Sequence, residues 1–335
     1  MKQTYLKRLA VGMMMMSSSL AMAADYPSKN IQGIIQWGAG GATDSIMRSV
    51  TPGAEKQLGT DIILTNRGGG AGAIATKYVN ARSADGYTLL MGAEPTQMAK
   101  VMGLGKLDYS DMVPISVLAQ GISIIVARND APYDNLHELI EYAKAHPKEI
   151  KLGSTGPGGL PSVLLAILKS AEPFEVTEIP YNGDGPGMTA ILGNAIDVMP
   201  TAYGPAKEYL RAGQMKVIGL MDKEPNAHFP DVKPVTDYYP QLASQLPYNS
   251  FFGIFVKKGT PDDVVSKLSA AFNHSASSDE FKNLMEQRGF NYLGLSGKEA
   301  GDYVERFRSV ASWIAYDSGI AKFSPEKFNI KKVSQ

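Results

Sequence analysis

The sequence predicts a two-lobed α/β architecture, each lobe a mainly parallel sheet flanked by helices, with a cleft between the lobes. Three observations lead there. A plan of short apolar strand, small-residue loop and helix recurs between Ile31 and Thr96 and again from about 128 to 245. That alternation is the pattern of parallel α/β sheets whose loops gather at one edge. The 335 residues are also too many for one compact core. Finally, the tail beyond 245 is helix-rich and strand-poor, so it is expected to pack back on the first lobe, with two chain crossings between lobes.

The first unit opens with the apolar run Ile31–Trp37, read as a buried strand. Gly38-Ala39-Gly40-Gly41 follows, and Thr43-Asp44 carries helix-start chemistry for a helix over Ser45–Leu58, kinked or broken at Pro52-Gly53. A strand, a glycine turn and a helix start together make an anion cradle, because backbone N–H groups and the positive end of the helix dipole point the same way. Gly59-Thr60 turns into the strand Asp61–Thr65, and Asn66 to Ala73 is a second glycine loop before a helix over Ile74–Asn80. The turn Asp85-Gly86 leads to the strand Tyr87–Gly92, which ends at Ala93-Glu94-Pro95-Thr96.

Ile115–Arg128 carries two apolar runs around Gly121, read as strands leaving the first lobe. The second lobe then continues with an amphipathic helix over Asn135–His146, ended by Pro147, and a brief strand at Lys151–Gly153. Ser154 to Gly159 is a third glycine loop before a helix over Pro161–Ser170. The strand Val176–Pro180 leads into the loop Tyr181 to Gly187 and the helix Met188–Leu192. Asn194–Met199 reads as a strand followed by the loop Thr201 to Pro205. In the tail, Phe251–Val256 is a strand, and Pro261–Ser275, Glu280–Arg288 and Gly297–Ser318 are helices. The lobes are therefore expected at 24–127 plus 246–335 and at 128–245.

The N-terminus reads as a secretory signal peptide. Lys2, Lys7 and Arg8 form its basic end, Leu9–Leu20 its apolar stretch, and Ala21-Met22-Ala23 an A-x-A cleavage site. Cleavage after Ala23 removes three of the 33 basic residues and none of the 33 acidic ones, leaving 30 − 33 = −3. That balance gives no footprint for nucleic acid. The absence of cysteine excludes disulfides, thiol catalysis and thiolate metal sites. A periplasmic address follows.

Catalytic and cofactor readings find little support. Gly38 and Gly40 begin a G-x-G, but Thr43 stands where a dinucleotide fingerprint has its third glycine. His137, His146, His228 and His274 are far apart and lack ligand spacing, so no metal and no cofactor are expected. Ser154 sits in a glycine loop without the G-x-S-x-G elbow. Asp44 reads either as a helix cap or as a ligand or water contact. Arg67 reads either as a carboxylate partner or as a surface residue, Tyr181 and Tyr203 as ligand-flanking or interface residues, and Trp37 as a cover for an apolar part of a ligand.

The ordered set Tyr26-Pro27, Ile34 to Asp44, Asn66-Arg67 with its glycines, Asp85 to Leu90, Tyr181-Asn182-Gly183-Asp184-Gly185-Pro186 and Gly193 to Met199 resembles the Bug (TctC-type) family. These are periplasmic solute-binding receptors of tripartite tricarboxylate transporters. The resemblance covers essentially the whole mature chain. It implies a periplasmic-binding-protein (Venus flytrap) fold, no enzymatic activity, a small organic carboxylate in the interlobe cleft, and docking to one large and one small membrane subunit. Carried over by motif, the ligand-binding set is Trp37, Gly38, Ala39, Gly40, Gly41, Ala42, Thr43 and Asp44, then Gly70, Ala71, Gly72, Ala93 and Glu94. The second lobe adds Ser154, Thr155, Gly156, Tyr181, Asn182, Gly183, Asp197 and Tyr203. Trp37-Gly38-Ala39 replaces the family's proline-rich start, and Asn182 replaces the basic residue after the tyrosine. Both changes favour a monocarboxylate, aromatic or less charged ligand over a plain dicarboxylate. The alternative functions are a ligand-sensing subunit of a signalling system and a secreted hydrolase acting at Ser154.

Overall fold

The computed structural model describes residues 26–333, so the expected signal peptide and its cleavage site lie outside the described residues. The first unit is β1 (Ile31–Ile35), α1 (Ala42–Leu58), β2 (Ile62–Asn66), α2 (Ala73–Asn80) and β3 (Thr88–Ala93). β1 pairs in parallel with β2 on one side and β3 on the other. Being central, β1 is covered on both faces. Ile31 and Ile35 pack with Ile46, Met47 and Val50 of α1, and Ile34 packs with Ala75 and Val79 of α2. α1 runs through Pro52 without the expected break. Pro52 is exposed, so water can take the carbonyl its missing N–H leaves free. Across the buried side, the Ser275 hydroxyl donates to Val50 O at 2.6 Å.

After β4 (Met112–Gln120) the chain enters a second sheet. There it forms β5 (Ser123–Arg128), α3 (Leu136–Ala145), β6 (Lys151–Ser154), α4 (Leu160–Ala171), β7 (Thr177–Pro180) and α5 (Asp184–Leu192). β8 (Val198–Ala202), α6 (Tyr203–Arg211) and β9 (Met215–Leu220) complete it, in the order β7-β6-β8-β5-β9. The return passes through β10 (Phe251–Lys257), α7 (Asp262–Ala276), α8 (Asp279–Gln287), β11 (Asn291–Ser296) and α9 (Gly297–Asp317). The first sheet has the order β11-β4-β10-β3-β1-β2.

Both sheets are mixed. The strand–loop–helix units β1–β3 and β6–β8 are parallel as read, whereas β4, β5, β9, β10 and β11 pair antiparallel. Strands that carry the chain from one sheet to the other, or return after a short turn, have no crossover helix to set them parallel. The first crossing falls at Gly121-Ile122, so β5 lies wholly in the second sheet and not in the first lobe, where a boundary at 127 had placed it.

The two crossings lie side by side. The Gly121 N–H donates to Ser250 O at 2.8 Å. The Ser123 N–H donates to Asn249 Oδ1 at 3.0 Å and the Ser123 hydroxyl to Tyr248 O at 2.8 Å. A third connection was not anticipated: α9 spans both halves. Ala300 and Val304 pack into the first-sheet core, while Ala311, Ile314 and Ala315 pack with Leu164 and its neighbours beside the second sheet. Midway along α9, buried Arg308 donates from Nε to the fully buried Asp108 at 3.2 Å, and Lys100 meets the same carboxylate at 3.1 Å.

Candidate functional site

The parallel strands aim their C-terminal ends, and hence the glycine loops, at the space between the sheets. At β1, the buried Gln36 side chain accepts from Ala93 N–H and from the Thr96 hydroxyl, both at 3.2 Å, which ties the end of β1 to the end of β3. Asp44 belongs to the framework. Its carboxylate accepts from Gly40 N–H at 3.1 Å, Arg48 Nε at 2.9 Å and Asn66 Nδ2 at 2.9 Å. Asn66 also donates to Trp37 O at 2.9 Å, so one carboxylate and one amide brace the whole turn. Asp44 does not cap its own helix, since its acceptor bonds go to the Gly40 amide, to Arg48 and to Asn66. Gly41 occupies the cap position in extended conformation. Arg67 stacks on Tyr78 at 3.9 Å, an intralobe contact.

Across the cleft the loops touch backbone to backbone. Gly38 N–H donates to Asn182 O at 2.8 Å. A Cβ on Gly38 would stand 2.7 Å from that oxygen, and a Cβ on Gly185 would stand 2.7 Å from Ala39 O. Neither contact leaves room for a side chain while the lobes meet. Gly156 likewise faces Ala71 across the gap.

Behind this seam lies a cavity of about 20 Å³, room for about one water molecule. The first lobe lines it with Trp37, Gly41, Ala42, Thr43, Ala93 and Glu94. The second contributes Thr155, Leu160, Pro161, Gly183 and Asp184. Ser250 and Phe252, from the return crossing, close it. An organic acid therefore enters only when the lobes part.

Two carboxyl groups dominate its electrostatics. Glu94 is 4% exposed. Burial pushes its pKa up to about 8; its own N–H and that of Leu160 pull the other way, and the charge of Asp184 adds to the rise. Asp184 has an enclosed carboxyl group that burial pushes up to about 6, against hydrogen bonds from the Thr201 hydroxyl and the Ala42 N–H. Ala42 and Leu160 are the first residues of α1 and α4. Each helix start is thus answered by a carboxyl group from the opposite lobe, as its partial positive charge favours.

Of the residues read from sequence as the binding set, the cavity brings together Trp37, Gly41, Ala42, Thr43, Ala93, Glu94, Thr155 and Gly183. Gly38, Ala39, Gly40, Ala71, Gly156 and Asn182 belong to the seam or its margins. Gly70 and Gly72 shape the turn before α2 without reaching the cavity. Ser154 is buried, and its hydroxyl accepts from Gly156 N–H at 3.3 Å. No histidine lines the cavity. Tyr181 packs into the second-lobe core, and Tyr203 packs on Phe229. Asp197 lies at the other end of its sheet, because β8 starts at Val198 and not at Asn194. There it accepts from Lys151 N–H at 2.8 Å and pairs with Arg128 at 3.6 Å. Leu160, Pro161, Asp184, Ser250 and Phe252 were not singled out from the sequence. Leu160, Pro161 and Asp184 follow directly on glycine loops, a signal that was available; Ser250 and Phe252 arrive from a remote strand without any local signature.

The model of the TctC family, described as the tripartite tricarboxylate transporter family receptor, matches residues 46–306. The chain belongs to this family. It is a periplasmic solute-binding receptor by that membership, and its two-lobed fold agrees. Among curated relatives it is 29% identical to a UPF0065 protein of Bordetella pertussis, over 90% of this chain and 93% of that protein. It is 26% identical to Protein BugT of the same organism, over 80% of this chain and 83% of that protein. Among solved structures, periplasmic binding protein BugD superposes with a TM-score of 0.82 at 26% identity, covering 88% of this chain and 99% of that one. R. palustris Rpa4515, solved with adipate, is similar in fold, with a TM-score of 0.81 at 22% identity over 89% of this chain and 99% of its own. So is MatC from Rhodopseudomonas palustris with bound malate, with a TM-score of 0.77 at 24% identity over 85% of this chain and 100% of its own.

Proposed function

We propose that this receptor captures a small organic carboxylate in the cavity between its lobes and delivers it to the large and small membrane subunits of a tripartite tricarboxylate transporter. One observation carries the reading. The amide-bearing starts of α1 and α4, from opposite lobes, converge on a single cavity, and each already accommodates a carboxyl group. The ligands named for MatC and Rpa4515, malate and adipate, are carboxylates on the same fold. The ligand-binding set is the cavity lining together with the seam residues Gly38 and Asn182. One lobe is built on the first sheet with α7 and α8, the other on the second sheet. The chain reaches the periplasm through a signal peptide cut after Ala23, and no helix of the described residues is long and apolar enough to cross a membrane.

A thermal-shift screen of organic acids, aromatic acids and amino acids tests the reading. A ligand at about 100 times its Kd stabilises the protein by about 2.7 kcal/mol, so at least one class should raise Tm in a dose-dependent manner. A flat response across the panel overturns the proposal. Uptake of that ligand, lost when this protein is deleted, separates delivery from sensing; undiminished uptake contradicts the transporter role.

A further inference from the structure

A second hollow, of about 310 Å³, adjoins the hinge and shares no lining residue with the cleft cavity. Small-molecule sites begin at about this size, roughly 300 Å³. The return crossing takes part in both spaces. Leu246, Pro247 and Tyr248 line the hollow, whereas Ser250 and Phe252, further along the same segment, line the cavity. Gln120 at the end of β4, Lys223 beyond β9 and one face of α9 complete the walls, so both lobes contribute.

The floor is apolar and preformed. Tyr248 is 1% exposed and packs on Phe307 with ring centroids 5.6 Å apart. Phe307 and Tyr303 each pack on the fully buried Phe251, at 5.1 and 5.6 Å. These rings hold one another in place, and such clusters accept a further flat ring in offset or edge contact. The mouth carries charge instead. Lys223 and Arg306 are exposed, and neither side chain has an ion-pair or hydrogen-bond partner among the described residues. Nearby cations do not share that state, since Lys216 pairs with Asp134 and Arg308 with Asp108. No acidic residue lines the hollow.

We infer that the hollow is a second ligand site, for an aryl carboxylate whose ring lies on Tyr248 and Phe307 and whose carboxylate meets Arg306 and Lys223. The charges complement an anion, and a guanidinium can meet both oxygens of one carboxylate. The ring buries apolar surface that the protein leaves uncovered. This site is open while the lobes touch, so its ligand enters without the parting of the lobes that the cleft cavity requires.

Calorimetric titration of the purified protein with 2-naphthoate and with the uncharged 2-naphthamide, at about 50 mM salt to limit screening, tests the assignment. The wild type should bind the acid saturably, and at least about 10-fold more tightly than the amide. The double variant Lys223→Glu/Arg306→Glu should weaken binding of the acid at least about 10-fold, with far-UV circular dichroism and Tm unchanged. Should that variant fold poorly, Lys223→Gln and Arg306→Gln carry the comparison, each weakening the acid about 3-fold or more. Undiminished binding to the variants would place naphthoate elsewhere, the cleft included, and overturn the assignment. An amide that binds as tightly as the acid, or a wild type that binds neither, would overturn it as well.

Discussion

Glu94 is a carboxylic acid placed where its charge is least welcome, and pH should reveal it. Its folded pKa of about 8 lies above the ordinary value of 4.5. The folded state therefore holds a proton that the unfolded chain releases. Stabilisation from this group is complete below about pH 4.5 and is lost as pH rises through about 8. The carboxyl groups and hydroxyls around it, Asp184, Tyr109, Tyr248 and Tyr303, are all raised as well, each mainly by burial. Between pH 5 and 8, Tm of the wild type should fall relative to Glu94→Gln; parallel curves would show that Glu94 is not protonated in the fold. Arg308 makes the opposite case, a buried charge that is paired. Arg308→Ala removes one of the two cations paired with Asp108, leaving Lys100 and the Ser110 donors, and should cost about 3 kcal/mol in urea unfolding. A loss below about 1 kcal/mol would place the anchoring of α9 elsewhere.

At the scale of elements, the loops after β1 and β7 meet through bare backbone. Gly185→Val adds a side chain that only the seam cannot take, since a Cβ there meets Ala39 O and Gly40 C at 2.7 and 3.0 Å. Each lobe should fold normally, with an unchanged circular dichroism spectrum, while affinity for the ligand falls at least about 10-fold, or about 1.4 kcal/mol. Unchanged affinity would mean that the seam does not close over the ligand. These loops were legible in the sequence because each follows from a short local pattern, an apolar run ended by glycines, as at Gly38–Gly41 and Ser154–Gly159. What was not legible depended on register or distance. Reading β8 four residues early, at Asn194, brought Asp197 to the cleft on paper, whereas a strand starting at Val198 leaves it at the far end. Asp184 sits in a loop the sequence marked, yet a carboxylate inside an anion cradle runs against the local chemistry. It becomes intelligible only beside Ala42 and Thr201, which come from other elements. Ser250 and Phe252 are brought in by β10 pairing between β3 and β4, a topology no local pattern encodes.

At the scale of the molecule, two adjacent crossings and one long helix join the lobes. The paired crossings at Gly121 and Ser250 make a compact hinge, and Ser250 is also part of the cavity lining. Cavity lining and hinge geometry thus share a residue. α9 adds packing on both sides, anchored at Arg308, and sets how far the lobes can part without repacking Ala311, Ile314 and Ala315. Capture and closure are one event in this arrangement, since the cavity of about 20 Å³ holds no organic acid until the lobes move.

Trp37 lines that cavity, and the only other tryptophan, Trp313, lies on α9 with its Nε1 bonded to Ile330 O at 3.1 Å. In a Trp313→Phe variant the indole fluorescence therefore reports on the cleft alone. Titrating this variant with the ligand found by the thermal-shift screen, alongside calorimetry, measures capture between the lobes directly. A saturable change in Trp37 emission is expected, with the same midpoint as the heat of binding. Calorimetric binding that leaves Trp37 emission untouched would place the ligand outside the cleft and contradict capture there.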